Sequence, residues 1–295
     1  MVISVPTGAQ HDRVLSNKKD CWILHERARH YAWKGTGGLS IKAFFGGRAH
    51  YEVGCAHHAV DERSYLVLNE GQTYAISIES PQPVESFCLF FAPGFAEEVR
   101  RSLSLKAERL LDEPNAGDLA PIHFFEKNYA HDSVLTPALR QLKQNYATAE
   151  KGGLVEELHA IVERLLKVHE IARRESNRLQ ALRRATRDEL YRRLCRARDY
   201  ANAFFAQPIT LADLARVACL SPNHLLRAFR QVFGETPHQF LTRSRLEEAC
   251  RLLAQSEARV TDVCLEVGFE SHGSFSALFH RRFGVSPTQY RQSKR

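Results

Sequence analysis

Toward the carboxy terminus the apolar positions fall into two nearly identical series. After Thr210, the residues Leu211, Leu214, Ala215 and Ala218 recur at helical spacing. Ser221 and Pro222 then supply an N-cap and a first helical residue. They open a second helix in which Leu225, Phe229 and Val232 or Phe233 share one face, and Asn223, His224, Arg227 and Arg230 fall on the polar remainder. Gly234 ends this helix and Pro237 starts another. Fifty residues on, Phe229, Phe233, Gly234, Pro237 and Phe240 are answered by Phe279, Phe283, Gly284, Pro287 and Tyr290, and Ser221 and Leu225 by Ser271 and Phe275. Further upstream the register slips by one, so that Leu214, Ala215, Ala218 and Leu220 match Val263, Cys264, Val267 and Phe269. Self-similarity at a fixed period marks a duplicated unit. The unit is two short helices around a tight turn, a helix-turn-helix.

Between the copies, Pro237 to Leu253 reads as one helix buried through Phe240, Leu241, Leu246, Ala249, Leu252 and Leu253. At 1.5 Å per residue it spans roughly 25 Å. Adding the flanking units sets the two second helices about 34 Å apart, one turn of B-DNA. The turn positions differ in one respect: Cys219 stands where the second copy has Gly268. If the turn needs positive φ, Cys219 is strained there by about 1 kcal/mol.

Residues 187–295 resemble the paired helix-turn-helix DNA-binding domain of the AraC/XylS family of bacterial transcription regulators. The anchors are Val267-Gly268-Phe269, Ser274-Phe275-Ser276-Ala277-Leu278-Phe279, Arg282-Phe283-Gly284-Val285-Ser286-Pro287 and Tyr290-Arg291. The resemblance implies helix-turn-helix units at 207–234 and 257–284 and a cytoplasmic regulator whose partner is double-stranded DNA. RNA polymerase would be a further partner if the protein is an activator.

The rest of the chain has a different rhythm. Short strands are expected at Ile41–Phe45, His50–Val53, Ser64–Leu68, Thr73–Ile78 and Ser86–Phe91, with Asn69-Glu70-Gly71-Gln72 as the clearest hairpin signal. Such spacing means a sandwich or barrel, and it resembles the cupin-like sensor domain that precedes the DNA-binding part in the family. The expected fold is therefore α+β. A cupin-like β-barrel or jelly roll (1–130) is followed by a helical segment (131–172), a linker (173–186) and an all-α double helix-turn-helix domain (187–295). Pro93 to Leu105 reads as an amphipathic helix through Phe95, Val99 and Leu103. Val134, Leu135, Leu139 and Leu142, then Leu154, Leu158, Ile161, Leu165, Leu166 and Val168, form two further helical stripes. They serve either as intramolecular core or, as the resemblance favours, for homodimerisation. The charged run Arg173 to Arg184 is the expected hinge, and Thr186 with Glu189 the expected capping box of the next helix.

Charge separates the two halves. The net charge is +7, yet Arg173 to the end carries 22 basic against 12 acidic residues, leaving the remainder near −3. That asymmetry suits a polyanion partner for the basic half. The seven cysteines form no Cys-x-x-Cys, which argues against a disulfide framework or zinc knuckle, and Cys195, Cys219, Cys250 and Cys264 fit as small buried hydrophobes. No signal-peptide pattern or eighteen-residue apolar span appears, so no membrane role is expected. Neither a phosphate loop nor a Gly-x-Ser-x-Gly or His-Glu-x-x-His motif is present, and the chain reads as no enzyme, with no cofactor. A metal-dependent cupin enzyme fused to a DNA-binding module is the rival. However, His57 and His58 are adjacent and would point to opposite faces of a strand, so no metal site is assigned to Cys55, His57, His58 or Glu62. An architectural DNA-binding protein without a sensor role is a third reading.

Base reading is expected from Asn223 and Arg227, one helical turn apart, in the first copy. In the second copy it is expected from His272, Ser276 and Ala277, the last through thymine methyl contact; Gly273 there offers a base nothing. Phosphate contacts are expected from Ser221, His224, Arg230, Ser271, Ser274, Arg281 and Arg282. A small-molecule effector acting on the amino-terminal half is implied, its binding residues unassigned.

Overall fold

The computed structural model describes residues 21–104, 120–147, 151–180 and 183–294. The amino-terminal stretch whose pattern argues against a signal peptide lies outside them. The chain divides into two compact units, Met1–Arg192 and Arg193–Arg295.

The first unit is built on antiparallel strands: β1 (Trp22–Thr36), β2 (Ser40–Phe45), β3 (Ala49–Val53), β4 (Ala56–Val60), β5 (Ser64–Leu68), β6 (Thr73–Phe90) and β7 (Asn128–Ala130). They run in the order β4-β3-β6-β2-β5-β7, with β1 also paired to β6. The Asn128 side chain donates to the Ala59 carbonyl at 2.7 Å, tying β7 to β4 and nearly closing the barrel. Phe44, Tyr51, Val53, Leu66, Leu68, Tyr74 and Cys88 pack together inside it. On the opposite face, Phe87 meets Tyr146 at 5.8 Å and Phe91 stacks near Phe95. With both faces covered, β5 is buried at every position, as in a sheet clad on two sides.

The expected strands at Ile41–Phe45, His50–Val53 and Ser64–Leu68 are present, and the outline is α+β as read. Three features differ. Thr73–Ile78 and Ser86–Phe91 belong to one strand, β6, since Ser80 to Pro83 form an outward irregularity where the β1 register shifts between Ala28 and His30. Prolines are tolerated at such a place. Strand β1 escaped the periodicity because its outer face is solvated, so Arg27, Arg29 and Lys34 interrupt the apolar pattern. Finally, Asn69 to Gln72 does form a turn, with Gly71 at φ 76° and Gln72 N–H donating to Asn69 O at 3.4 Å. It makes no hairpin, because β2 lies between β5 and β6 and pairs with both. Turn chemistry reverses the chain; it does not choose the neighbour.

Three helices complete the unit: α1 (Phe95–Ser104), α2 (Thr136–Asn145) and α3 (Lys151–Ser176). Val99 is buried, whereas Leu103, expected on the same stripe, is 55% exposed. Leu135, Leu139, Leu142, Leu154, Leu158, Ile161, Leu165 and Val168 are buried within this unit; the large apolar side chains that α3 leaves exposed are Val155 and Ile171. Helix α3 carries the charged run as far as Ser176, and α4 (Arg184–Ala203) begins two residues before Thr186. Thr186 thus lies in the first turn of α4 rather than at its cap.

In the second unit the duplication is visible atom by atom. The helices are α5 (Leu211–Val217), α6 (Pro222–Phe233), α7 (Pro237–Gln255), α8 (Val260–Glu266), α9 (His272–Phe283) and α10 (Pro287–Lys294). Phe229 meets Phe233 and Phe240 at 4.7 and 6.0 Å; Phe279 meets Phe283 and Tyr290 at 4.6 and 5.6 Å. Thr236 and Gln239 form a capping box, and Ser286 and Gln289 exchange the same two bonds fifty residues later. Unlike α5, capped by Thr210 and Asp213, helix α8 starts at Val260 after an Arg259 that makes no side-chain cap.

Candidate nucleic-acid interface

Two helices present matched polar faces. In α6, Leu225, Ala228, Phe229 and Val232 are buried, and the opposite side is solvent-exposed. The Ser221 hydroxyl accepts from His224 N–H at 3.3 Å, and Gly234 closes the helix at φ 76°. In α9, Phe275 and Phe279 are buried, Ser271 accepts from Ser274 N–H at 3.4 Å, and Gly284 closes at φ 77°. Burial of one stripe thus fixes which residues face outward: Asn223, Arg227 and Arg230 at i, i+4 and i+7 on α6, and Gly273, Ala277 and Arg281 at i, i+4 and i+8 on α9. Ser221, Asn223, Arg227 and Arg230 are exposed and His224 half-buried; Ser271, His272, Ser274, Ala277, Arg281 and Arg282 are exposed and Ser276 half-buried. Leu226, beside Arg227, is 38% exposed, an outward apolar side chain that the amphipathic pattern did not single out.

Charge is arranged unevenly. Scaffold arginines are engaged: Arg216 with Asp213, Arg243 with Glu235 and Glu247, Arg251 with Glu248, and Arg259 with Asp262. Among the described residues, Arg227, Arg230, Arg281 and Arg282 have neither an ion pair nor a side-chain hydrogen bond. Arg227 therefore makes no intramolecular salt bridge among the described residues. Four cations on two capped helices are thus exposed and unengaged among the described residues.

The turns leading into these helices share one backbone pattern. Cys219 N–H donates to Arg216 O and Leu220 N–H to Ala215 O; Gly268 N–H donates to Leu265 O and Phe269 N–H to Cys264 O, all at 2.9–3.0 Å. Both turn residues have positive φ, 52° at Cys219 and 88° at Gly268. Cys195 and Cys264 are buried and Cys250 half-buried, but Cys219 is exposed, because the left-handed turn directs its side chain to solvent.

The residues weighed for a metal do not converge. Cys55 and Glu62 are exposed, His58 is buried, and His57 lies 3.9 Å from Glu52. Among the described residues no group of three or more His, Cys, Asp or Glu is placed to hold a metal ion. The barrel interior does contain an unforeseen cation. Lys42 is 1% exposed, its ammonium 3.3 Å from the Tyr74 hydroxyl and 3.5 Å from the centre of the Phe90 ring. Burial brings its pKa down to about 8. Two residues earlier on the same face, the buried Ser40 hydroxyl has no hydrogen-bond partner. A lysine inside the run Ile41-Lys42-Ala43 was the signal available in the sequence.

Comparison with known proteins bears on the carboxy-terminal unit. A family described as a helix-turn-helix domain matches residues 214–293. The chain is 36% identical over 92 residues to a probable transcriptional regulator LumQ from Photobacterium leiognathi, covering 31% of this chain and 37% of that protein. It is 32% identical over 173 residues to the transcriptional activator RhaS of Klebsiella pneumoniae, covering 57% of this chain and 60% of the relative. In neither case does the match reach two thirds of the relative's length. A solved structure of an AraC-type DNA-binding-domain regulator from Chromobacterium violaceum aligns at 27% identity and a TM-score of 0.33, covering 35% of this chain and 91% of that one. No described helix is long and apolar enough to cross a membrane. Through its carboxy-terminal unit, the chain is similar to known transcriptional regulators that carry a helix-turn-helix domain.

Proposed function

We propose that this protein binds double-stranded DNA sequence-specifically, placing α6 and α9 in two successive major-groove segments, and that it regulates transcription in response to a small molecule or partner acting on the amino-terminal barrel. The observation carrying the reading is the set of unengaged arginines on the outward faces of two identically capped helices, in a unit whose other arginines are largely paired. Arg227, with Asn223 one turn before it, reads a guanine edge. Ala277 contacts a thymine methyl, and His272 and Ser276 add polar contacts. Ser221, His224, Arg230, Ser271, Ser274, Arg281 and Arg282 hold phosphates and set the register. Because Gly273 and Ala277 offer no hydrogen bonds, specificity concentrates in α6.

The buried Lys42 and Ser40 support a small-molecule role for the barrel, since an ammonium and a hydroxyl with spare hydrogen-bonding capacity are costly in an apolar interior. Homodimerisation would use faces of α2 and α3 other than the buried stripes, with Val155 and Ile171 available on α3. Contact with RNA polymerase follows only if the protein activates. The test is fluorescence anisotropy of the full chain on duplexes enriched from a random pool, against bulk competitor at fixed salt. Preference of a thousandfold order for the enriched duplex is expected, and equal affinity for both would contradict the reading.

A further inference from the structure

We propose that Arg245, by clamping the segment between α4 and α5 onto the second helix-turn-helix, fixes the spacing between the two recognition helices, and so makes the number of base pairs between half-sites a specificity determinant. The inference rests on the reading of α6 and α9 as DNA readers.

Helix α7 alone is a weak rule for spacing. Phe240 at its start packs on Phe229 of the first copy, and Leu246, Ala249 and Leu253 pack in the core of the second. A single rod between two bodies leaves bending and twist free. The structure contains a second bridge. Helix α4 is tied to the first copy, Arg198 lying over the Phe233 ring at 4.9 Å and Arg193 donating to the Cys219 carbonyl at 3.4 Å. The chain then leaves the first copy. Phe205, 7% exposed, enters the core formed by Val263, Val267, Phe269 and Phe275, and Ile209 packs against the same cluster. At Thr210 it returns to cap α5 of the first copy. Both ends of this segment are thus anchored in one copy and its middle in the other.

Arg245 makes that docking rigid. Its Nε donates to the Phe205 carbonyl at 2.7 Å and its Nη2 to the Gln207 carbonyl at 2.8 Å, while the guanidinium lies 5.7 Å from the Phe269 ring. A planar fork holding two carbonyls permits little rotation, whereas a single-point donor would swivel. On the other side the backbone approaches so closely that a Cβ on Gly268 would lie 2.6 Å from the Ala206 carbonyl oxygen. The arginine is therefore committed to backbone within the chain and is a positioning residue, not a phosphate contact. One base pair more or less between half-sites moves the second by about 3.4 Å and a tenth of a turn. A doubly bridged pair cannot follow that change.

The experiment compares the full-length protein with Arg245→Met, which keeps an apolar stem on Phe269 and removes both bonds, and with Arg245→Lys, which keeps the charge but cannot span both carbonyls. Each is taken through selection from a random duplex pool, and then titrated on the selected site with one base pair inserted or deleted between its halves. Wild type is expected to give a two-block motif at one spacing and to lose roughly tenfold or more on the altered duplexes. Both variants are expected to select a spread of spacings and lose no more than about threefold, with an unchanged salt dependence because no phosphate contact is removed. A two-block motif with undiminished spacing discrimination in both variants overturns the clamp alone. A wild-type motif without two blocks overturns the DNA reading with it, and a flattened salt dependence in Arg245→Met reassigns the residue to phosphate binding.

Discussion

The paired turns ahead of α6 and α9 share hydrogen bonds and the sign of φ, yet they should tolerate substitution very differently. Cys219→Gly removes a left-handed strain of about 1–2 kcal/mol at an exposed side chain. Against that stands about 0.5–1 kcal/mol for the freer unfolded glycine, leaving a net stabilisation of roughly 0–1 kcal/mol. Gly268→Ala does the opposite. It adds about 1–2 kcal/mol of left-handed strain and forces its Cβ against the Ala206 carbonyl oxygen, 2.6 Å away. Overpacking of that kind costs about 1–3 kcal/mol, and the reduced unfolded entropy returns about 0.4–1. The net loss is about 2–4 kcal/mol. Hydrogen exchange followed by mass spectrometry on the full chain reads both, through amides of α5–α6 and α8–α9 that exchange only on opening. Exchange in α8–α9 should accelerate roughly thirty- to a thousandfold in Gly268→Ala, while α5–α6 slows by up to about fivefold in Cys219→Gly. Equal effects at the two positions, or unchanged α8–α9 protection, would refute the argument that the Ala206 backbone sets them apart.

Other expectations are separable by assay. Arg227→Ala should cost about 1–3 kcal/mol on the selected duplex and relax preference at one base pair; equal losses on selected and random DNA would remove it from base reading. Arg282→Ala should weaken binding on every sequence and flatten the log affinity–log salt slope by about one, and an unchanged slope would strike it from the phosphate contacts. In the barrel unit, burial opposes ionisation of Asp61, but the bonds and charge of Arg63, with Arg48, outweigh it and hold the carboxyl at about 2. Since an unfolded aspartate titrates near 4, this pair contributes about 2 kcal/mol that is fully present above pH 4 or so and is lost as pH falls through about 2. Unfolding of Asp61→Asn, followed by the fluorescence of Trp22 and Trp33, should show that deficit at pH 7 and its disappearance near pH 2. A deficit independent of pH would assign the loss to packing instead.

The carboxy-terminal unit was legible because each repeated residue acts on its immediate neighbours. Ser221 and Ser271 cap, Gly234 and Gly284 take positive φ, and Phe229 and Phe279 hold the pair of helices together. Local roles leave local signatures. Strand β1 and the continuity of β6 were hidden for the converse reason, since a solvated outer face and two prolines at a register shift look like loop. Pairing order was also invisible, as the turn at Asn69–Gln72 shows. Arg245 reads like any surface arginine, because its partners are carbonyls 38 and 40 residues away whose identity carries no sequence signal. The stripes of α2 and α3 announced that something covers them but not what; the first unit itself does. Composition could indicate a polyanion partner for the basic half, but not which arginines the fold leaves without a partner.

Hydroxyl-radical footprinting of the full chain on its selected duplex tests the central claim most directly. Two protected patches on one face of the helix, centred about ten base pairs apart, are expected as α6 and α9 occupy successive major grooves. A single patch, or protection spread evenly around the duplex, would contradict the account.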